Sequence, residues 1–296
     1  MMQALKGSLV ALVTPMTEND DIDYQSLESL IDWHIEQGTN GIVSVGTTGE
    51  SATLDVKDHL DVVKHTINYA NSRIPIIAGT GANSTSEALE LTEESKKLGA
   101  DYTLIVTPYY NKPNQNGLIK HYLKLADNVD IPQILYNVPS RTACDLSPAS
   151  VKLLSEHKNI IGIKEAVNTE ERMSDLLDIS KDNDEFILLS GDDPSFLSMM
   201  QKGGDGVISV AANVVPNIIS NICSLISEGK NEEAININQK LYDLYELLFI
   251  ESNPIPVKWM LYKMNFIKNS IRLPLVELDK KYQENVLNEM LKLELL

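Results

Sequence analysis

Asn159-Ile160-Ile161-Gly162-Ile163-Lys164-Glu165-Ala166 is an isoleucine-rich apolar run that carries a lysine and a glutamate near its end. Seven other runs of this kind occur, Ser8–Pro15, Gly41–Thr47, Pro75–Gly81, Asp101–Pro108, Pro132–Pro139, Glu185–Asp192 and Asp205–Asn213. They recur about every 30 residues, the length of a strand with its crossover helix. Amphipathic stretches lie between them, such as Tyr24–Gln37 with Leu27, Leu30, Ile31 and His34, and Ser84–Leu98 with Ala88 and Leu91. Near-continuous apolar runs mark strands buried on both faces, as a parallel sheet requires. Eight units in strict alternation predict an α/β chain closed into a (β/α)8 TIM barrel. The alternative is an open doubly wound sheet, but no Gly-rich dinucleotide turn follows the first run to support it.

From Val215 onward the pattern is helical only, most clearly over Glu232–Phe249, where Ile235, Ile237, Leu241, Leu244 and Leu248 are expected along one side. The expected organisation is therefore a catalytic barrel over 1–225 and a C-terminal helical region over 226–296, packed on the barrel or on another subunit. The chain of 296 residues is 43% hydrophobic, enough for a sizeable core. Its formal net charge of -17 disfavours nucleic acid and anionic membrane surfaces as partners. Cys144 and Cys223 stand far apart and outside any metal-ligand spacing, which fits a reducing cytosol. Residues Met1 to Lys6 lack the basic-then-apolar pattern of a signal peptide, and no apolar run approaches the roughly 20 residues of a membrane span. A soluble cytoplasmic protein is expected.

Barrel chemistry sits where strands end. Gly46-Thr47-Thr48-Gly49-Glu50-Ser51, Thr107-Pro108-Tyr109-Tyr110-Asn111, Tyr136-Asn137-Val138-Pro139 with Arg141, and Gly191-Asp192-Asp193 all fall there. Lys164 lies inside an apolar strand, where desolvating an ammonium is costly. Period-two alternation places Gly162, Lys164 and Ala166 toward the barrel interior and Ile161 and Ile163 toward the helices. Burial favours the neutral amine, the nucleophile that condenses with a ketone; the other reading is a strand-end lysine reaching solvent. Tyr136 shares a face with Ile134 on the adjacent strand. It is either a core aromatic or a phenol that shuttles protons beside an imine. Thr47 and Thr48 offer hydroxyls and backbone donors to a carboxylate, and the Arg141 guanidinium suits a carboxylate bidentately. No His-x-His, His-Glu-x-x-His, Gly-x-Ser-x-Gly or phosphate-cradling motif occurs, and the five histidines are scattered. His59 and His65 are expected on a helix surface.

Gly46-Thr47-Thr48-Gly49-Glu50, Tyr136-Asn137-Val138-Pro139-Ser140-Arg141-Thr142 and Gly162-Ile163-Lys164-Glu165-Ala166 resemble, in order, the signatures of the dihydrodipicolinate synthase / N-acetylneuraminate lyase superfamily of class I aldolases. Val13-Thr14-Pro15, Val106-Thr107-Pro108-Tyr109-Tyr110-Asn111-Lys112-Pro113 and Ser252-Asn253-Pro254-Ile255-Pro256-Val257-Lys258 look like its dihydrodipicolinate synthase branch. The resemblance implies a lyase of lysine and diaminopimelate biosynthesis that condenses pyruvate with L-aspartate 4-semialdehyde, without metal or organic cofactor. It implies that Lys164 forms the imine and that Tyr136, Thr47 and Tyr110 relay protons, with Tyr110 serving the neighbouring subunit of a homotetramer built as a dimer of dimers. Thr48 would hold the pyruvate carboxylate, Arg141 that of the semialdehyde, and Gly191 and Ile208 would make backbone contacts near pyruvate. The family's allosteric lysine site corresponds to Ser51, Ala52, His59, Asn83, Glu87 and Tyr109, and Val56 stands where lysine-sensitive members often carry a histidine. The competing functions are another pyruvate-dependent aldolase, such as a sialic acid or keto-deoxy-sugar lyase, and a catalytically silent lysine-sensing barrel. Lys164, Tyr136, Thr47 and Tyr110 together argue against the sensor.

Overall fold

The computed structural model describes residues 5–296. The expectation of no leader over Met1 to Lys6 lies largely outside the described residues. Eight parallel strands close into a barrel in sequence order. They are β1 (Gly7–Ala11), β2 (Gly41–Ser44), β3 (Ile76–Gly79), β4 (Tyr102–Val106), β5 (Gln133–Asn137), β6 (Ile160–Glu165), β7 (Ile187–Ser190) and β8 (Gly206–Ser209). Seven lie within their predicted runs and β1 starts one residue before its own, at Gly7; all are shorter than predicted, because the strand-end residues leave the ladder for the loops. The barrel closes through β1 and β8, with Leu9 opposite Ile208.

Six of the barrel helices start where the sequence supplies a cap. Asp23, Asp55, Ser84, Asn114, Ser147 and Thr169 each accept a hydrogen bond from a first-turn backbone N–H. Helices Tyr24–Glu36 and Thr85–Leu98 bury Leu27, Leu30 and Ile31, and Ala88 and Leu91. Leu9, Val43, Ile77, Leu104, Ile134, Tyr136, Leu189 and Ile208 fill the barrel interior.

Two expectations are corrected. Ile161 packs against the interior cluster and does not face the helices, whereas Ile163 does. The cause is a register irregularity: Gln133 pairs with Ile160 but Ile134 pairs with Gly162, so Ile161 is the extra residue of a bulge. The bulge resets the alternation, and Lys164 still points inward. Glu232–Phe249 is not one helix. It divides into Asn231–Asn238, a 3-10 turn Gln239–Leu241 and Tyr242–Leu247. Its buried side is Ala234, Asn238, Leu241, Leu244, Tyr245 and Leu248, while Ile235 and Ile237 are half-buried. Residues two apart on a helix point in nearly opposite directions, so Ile235 and Ile237 could not share a face. The buried Asn238 side chain accepts from the Tyr245 phenol at 2.8 Å. These helices pack on the barrel: Leu244, Val257, Met260, Val286 and Met290 share one core with Val10, Ile42 and Val207.

Both cysteines are free and buried. Among the described residues no helix is long and apolar enough to cross a membrane, and no group of three or more His, Cys, Asp or Glu is placed to hold a metal ion.

Candidate active site

The carboxyl ends of the strands surround a cavity of about 560 Å³, walled by Thr47, Thr48, Tyr136, Arg141, Lys164 and Gly191. Tyr136 and Lys164 are direct cross-strand partners on β5 and β6. That register holds the amine 4.2 Å from the centre of the phenol ring. Both side chains are buried. Burial pulls the Lys164 amine down to about 7, opposed by the negative charge of Asp193 and assisted by the positive charge of Arg141. A large share of this lysine is therefore neutral near pH 7, whereas a free lysine stays protonated. Burial raises the Tyr136 phenol; the Arg141 charge and a hydrogen bond with Thr47 oppose this.

The turn carrying Thr47 and Thr48 leaves β2 through Val45 at φ 55 and reaches Glu50 at φ 61. Positive φ at a β-branched residue is costly, so the turn persists only because its surroundings fix it. Gly79 allows the approach, since a Cβ there would lie 2.2 Å from the Val45 carbonyl oxygen. The Thr14 hydroxyl donates to the Gly49 carbonyl at 2.7 Å, and Asn253 Nδ2 donates to Thr48 Oγ1 at 3.0 Å.

The rung beyond the Tyr136–Lys164 pair is Asn137 with Glu165. Asn137 Nδ2 donates to the Glu165 carboxylate at 3.0 Å, and the Val167 N–H donates to it at 2.8 Å. Burial pushes that carboxyl up to about 7, against the pull of its hydrogen bonds and of Arg172. Asp193 is buried after β7 and accepts from Ser209 Oγ at 2.5 Å and from the Val210 and Ala211 N–H groups at 3.0 Å. It ties the ends of β7 and β8 together behind the lysine.

A second cavity of about 260 Å³ opens beside the first, and Thr47, Val138 and Arg141 wall both. Ser51, Ala52, His59, Glu87, Tyr109 and Val56 line it. Asn83 is not on its wall; the Asn83 carbonyl instead accepts from Asn111 Nδ2 at 2.8 Å. His59 is no surface residue. It is buried with Nε2 2.7 Å from the Gly79 carbonyl oxygen, and burial lowers its pKa. The helix Val56–Ala70 turns this residue toward β3, which its spacing alone did not reveal. His65 is half-buried against Glu28 at 2.9 Å.

Two further residues stand apart from the first cavity. Ile208 is enclosed in the barrel interior, and Val210, two residues on, lines the cavity in its place. Tyr110 is 88% exposed at φ 73, and within one chain it does not join Lys164 and Tyr136. Sequence reasoning missed Asp193 and Asn253 as parts of the site. Asp193 was visible only as the second acid of a polar strand end, and Asn253 approaches Thr48 across 205 residues.

The Dihydrodipicolinate synthetase family profile matches residues 4–293. A 4-hydroxy-tetrahydrodipicolinate synthase of Saccharophagus degradans is 52% identical over 95% of this chain and 96% of its own. The structure of a chloride-inhibited dihydrodipicolinate synthase from Acinetobacter baumannii complexed with pyruvate superposes with a TM-score of 0.96, at 49% identity, over 99% of this chain and 100% of that one. A dihydrodipicolinate synthase from Cyanidioschyzon merolae with lysine bound gives a TM-score of 0.95 at 36% identity, over 99% of this chain and 100% of that one.

Proposed function

The chain belongs to the dihydrodipicolinate synthetase family, and from that premise we propose that it condenses pyruvate with L-aspartate 4-semialdehyde to 4-hydroxy-tetrahydrodipicolinate through a Schiff base on Lys164. The observation that carries this reading is the buried, partly neutral amine of Lys164 set 4.2 Å from the Tyr136 ring at the floor of the cavity.

The neutral amine attacks the keto carbon of pyruvate. Thr48 and the backbone donors of its turn receive the pyruvate carboxylate, and the Gly191 backbone borders the same space. Tyr136, hydrogen-bonded with Thr47, moves the protons that carbinolamine formation and loss of water require. A proton then leaves the methyl carbon to the relay, the resulting enamine attacks the aldehyde carbon, and the aldehyde oxygen takes up a proton. The semialdehyde's own amine finally displaces Lys164 from the imine carbon, which closes the ring and frees the enzyme amine. Arg141, on the cavity rim, holds the carboxylate of the semialdehyde. Tyr110 completes the relay of a second subunit's Tyr136 and Thr47, which accounts for an aromatic side chain at an exposed loop tip. That requirement makes the working form a dimer or the homotetramer built from it, in the cytoplasm.

The second cavity takes L-lysine as a feedback effector. Glu87 supplies a carboxylate for an ammonium, and Ser51 and Tyr109 supply hydroxyls. Val56 brings no hydrogen bond to that wall, so sensitivity is altered relative to members with a histidine there. The test of the reaction is direct: pyruvate and L-aspartate 4-semialdehyde together should give the cyclic product by NMR, and neither alone should. Cleavage of N-acetylneuraminate in place of this condensation would favour the sugar-lyase reading.

A further inference from the structure

The turn bearing Thr47 and Thr48 is held from beneath by residues of the C-terminal region. Glu50, which ends the turn, and Lys258, on the helix Ile255–Lys263, form an ion pair in which each residue is 3% exposed. Lys258 Nζ also donates to the Thr14 carbonyl at 3.1 Å, and the Arg272 N–H donates to the second oxygen of Glu50 at 3.0 Å. Neither charge faces the cavity, and no step of the reaction uses them. Burying two charges in a core is a poor route to stability, because desolvation offsets most of their attraction. What such a pair does well is fix geometry, and here the backbone it fixes is strained at Val45 (φ 55) and Glu50 (φ 61). Thr14 adds a second restraint: its backbone carbonyl receives Lys258 while its hydroxyl donates to Gly49. The pair therefore links the loop after β1, the turn after β2 and the helix Ile255–Lys263.

We propose that Glu50 and Lys258 are positioning residues, a buried ion pair through which the C-terminal helical region holds the Thr47-Thr48 turn in the pose that receives the carboxylate of the keto acid. The inference rests on the proposed pyruvate chemistry. It separates the C-terminal helices from mere packing: they set the affinity for the first substrate.

The experiment compares wild type with Glu50→Gln/Lys258→Met and with each single variant, reading thermal stability, pyruvate KM, kcat and borohydride trapping. Each single variant leaves one buried charge unpaired and should lose stability. The double variant removes both charges and keeps an acceptor for the Arg272 N–H, so its Tm should recover most of that loss. Its pyruvate KM should nevertheless rise about tenfold or more, with kcat changed by less than about threefold and full trapping at saturating pyruvate. Asn253→Ala, which removes the bond to Thr48 without burying a charge, should move the pyruvate KM in the same direction and serves if the double variant does not fold. A folded double variant, or failing that a folded Asn253→Ala, with the wild-type pyruvate KM would overturn the proposal. Failure of wild type itself to be trapped would overturn the Schiff-base reading and the positioning role with it.

Discussion

Gly191→Ala should slow imine formation while leaving the barrel folded. A Cβ on Gly191 would lie 3.0 Å from Cε and 3.1 Å from Cγ of Lys164. Ordinary contact begins at about 3.4–3.5 Å, so the lysine chain must retreat by a few tenths of an ångström. The backbone cannot give way instead, because the Gly191 N–H donates to the Glu165 carbonyl at 2.7 Å and the added Cβ would already stand 3.3 Å from that oxygen. A misplacement of about 1 Å at a reacting atom costs roughly 100-fold, so a shift of a few tenths should cost roughly tenfold in rate. Overpacking should cost only about 1–3 kcal/mol of stability, since the crowded atoms belong to a flexible side chain. The assay is rapid mixing with pyruvate, a borohydride quench and intact mass spectrometry, with a thermal melt as control. A folded variant trapped within about threefold of the wild-type rate would refute the claim that the Lys164 path is sterically fixed by Gly191.

The remaining expectations concern charge and assembly. With Lys164 pulled down to about 7, the rate of imine formation should be level above pH 7 and fall about tenfold per unit below it; a rate still climbing toward pH 10 would show an ordinary lysine. Arg141→Ala should lower kcat/KM for the semialdehyde roughly 30- to 1,000-fold, the loss of one charge-assisted carboxylate contact, and leave pyruvate trapping nearly intact. Equal aldehyde kinetics would remove Arg141 from the site. Mixing Tyr110→Phe with Lys164→Ala protein should regenerate about a quarter of wild-type sites, since half the dimers are hybrids with one complete site each. Hybrids verified by native mass spectrometry but inactive would place Tyr110 outside the partner's relay.

The barrel was readable because parallel strands covered on both faces leave near-continuous apolar runs, and eight of them alternate with helical stretches, most of them capped. Lys164 stood out for the same reason, but alone it also fitted a strand-end lysine reaching solvent; the polar loops at the neighbouring strand ends decided between the two. Ile161 was not, because a bulge is a property of the pairing between β5 and β6 and leaves no mark on one strand. The break at Asn238 was missed because the spacing of Leu241, Leu244 and Leu248 was extended back through Ile235 and Ile237, which cannot share that face. His59 reads as a polar helix residue until the neighbouring β3 supplies the Gly79 carbonyl. Asn253 and Lys258 reach the turn from more than 200 residues away. Local spacing carries no record of that approach.

If Lys164 carries the chemistry, reduction of the pyruvate imine must label it. Borohydride added with pyruvate should attach one pyruvyl-derived unit per chain, peptide mapping should find it on Lys164, and Lys164→Ala should take up none. Label on another lysine, or none on the folded wild-type protein, would contradict the account.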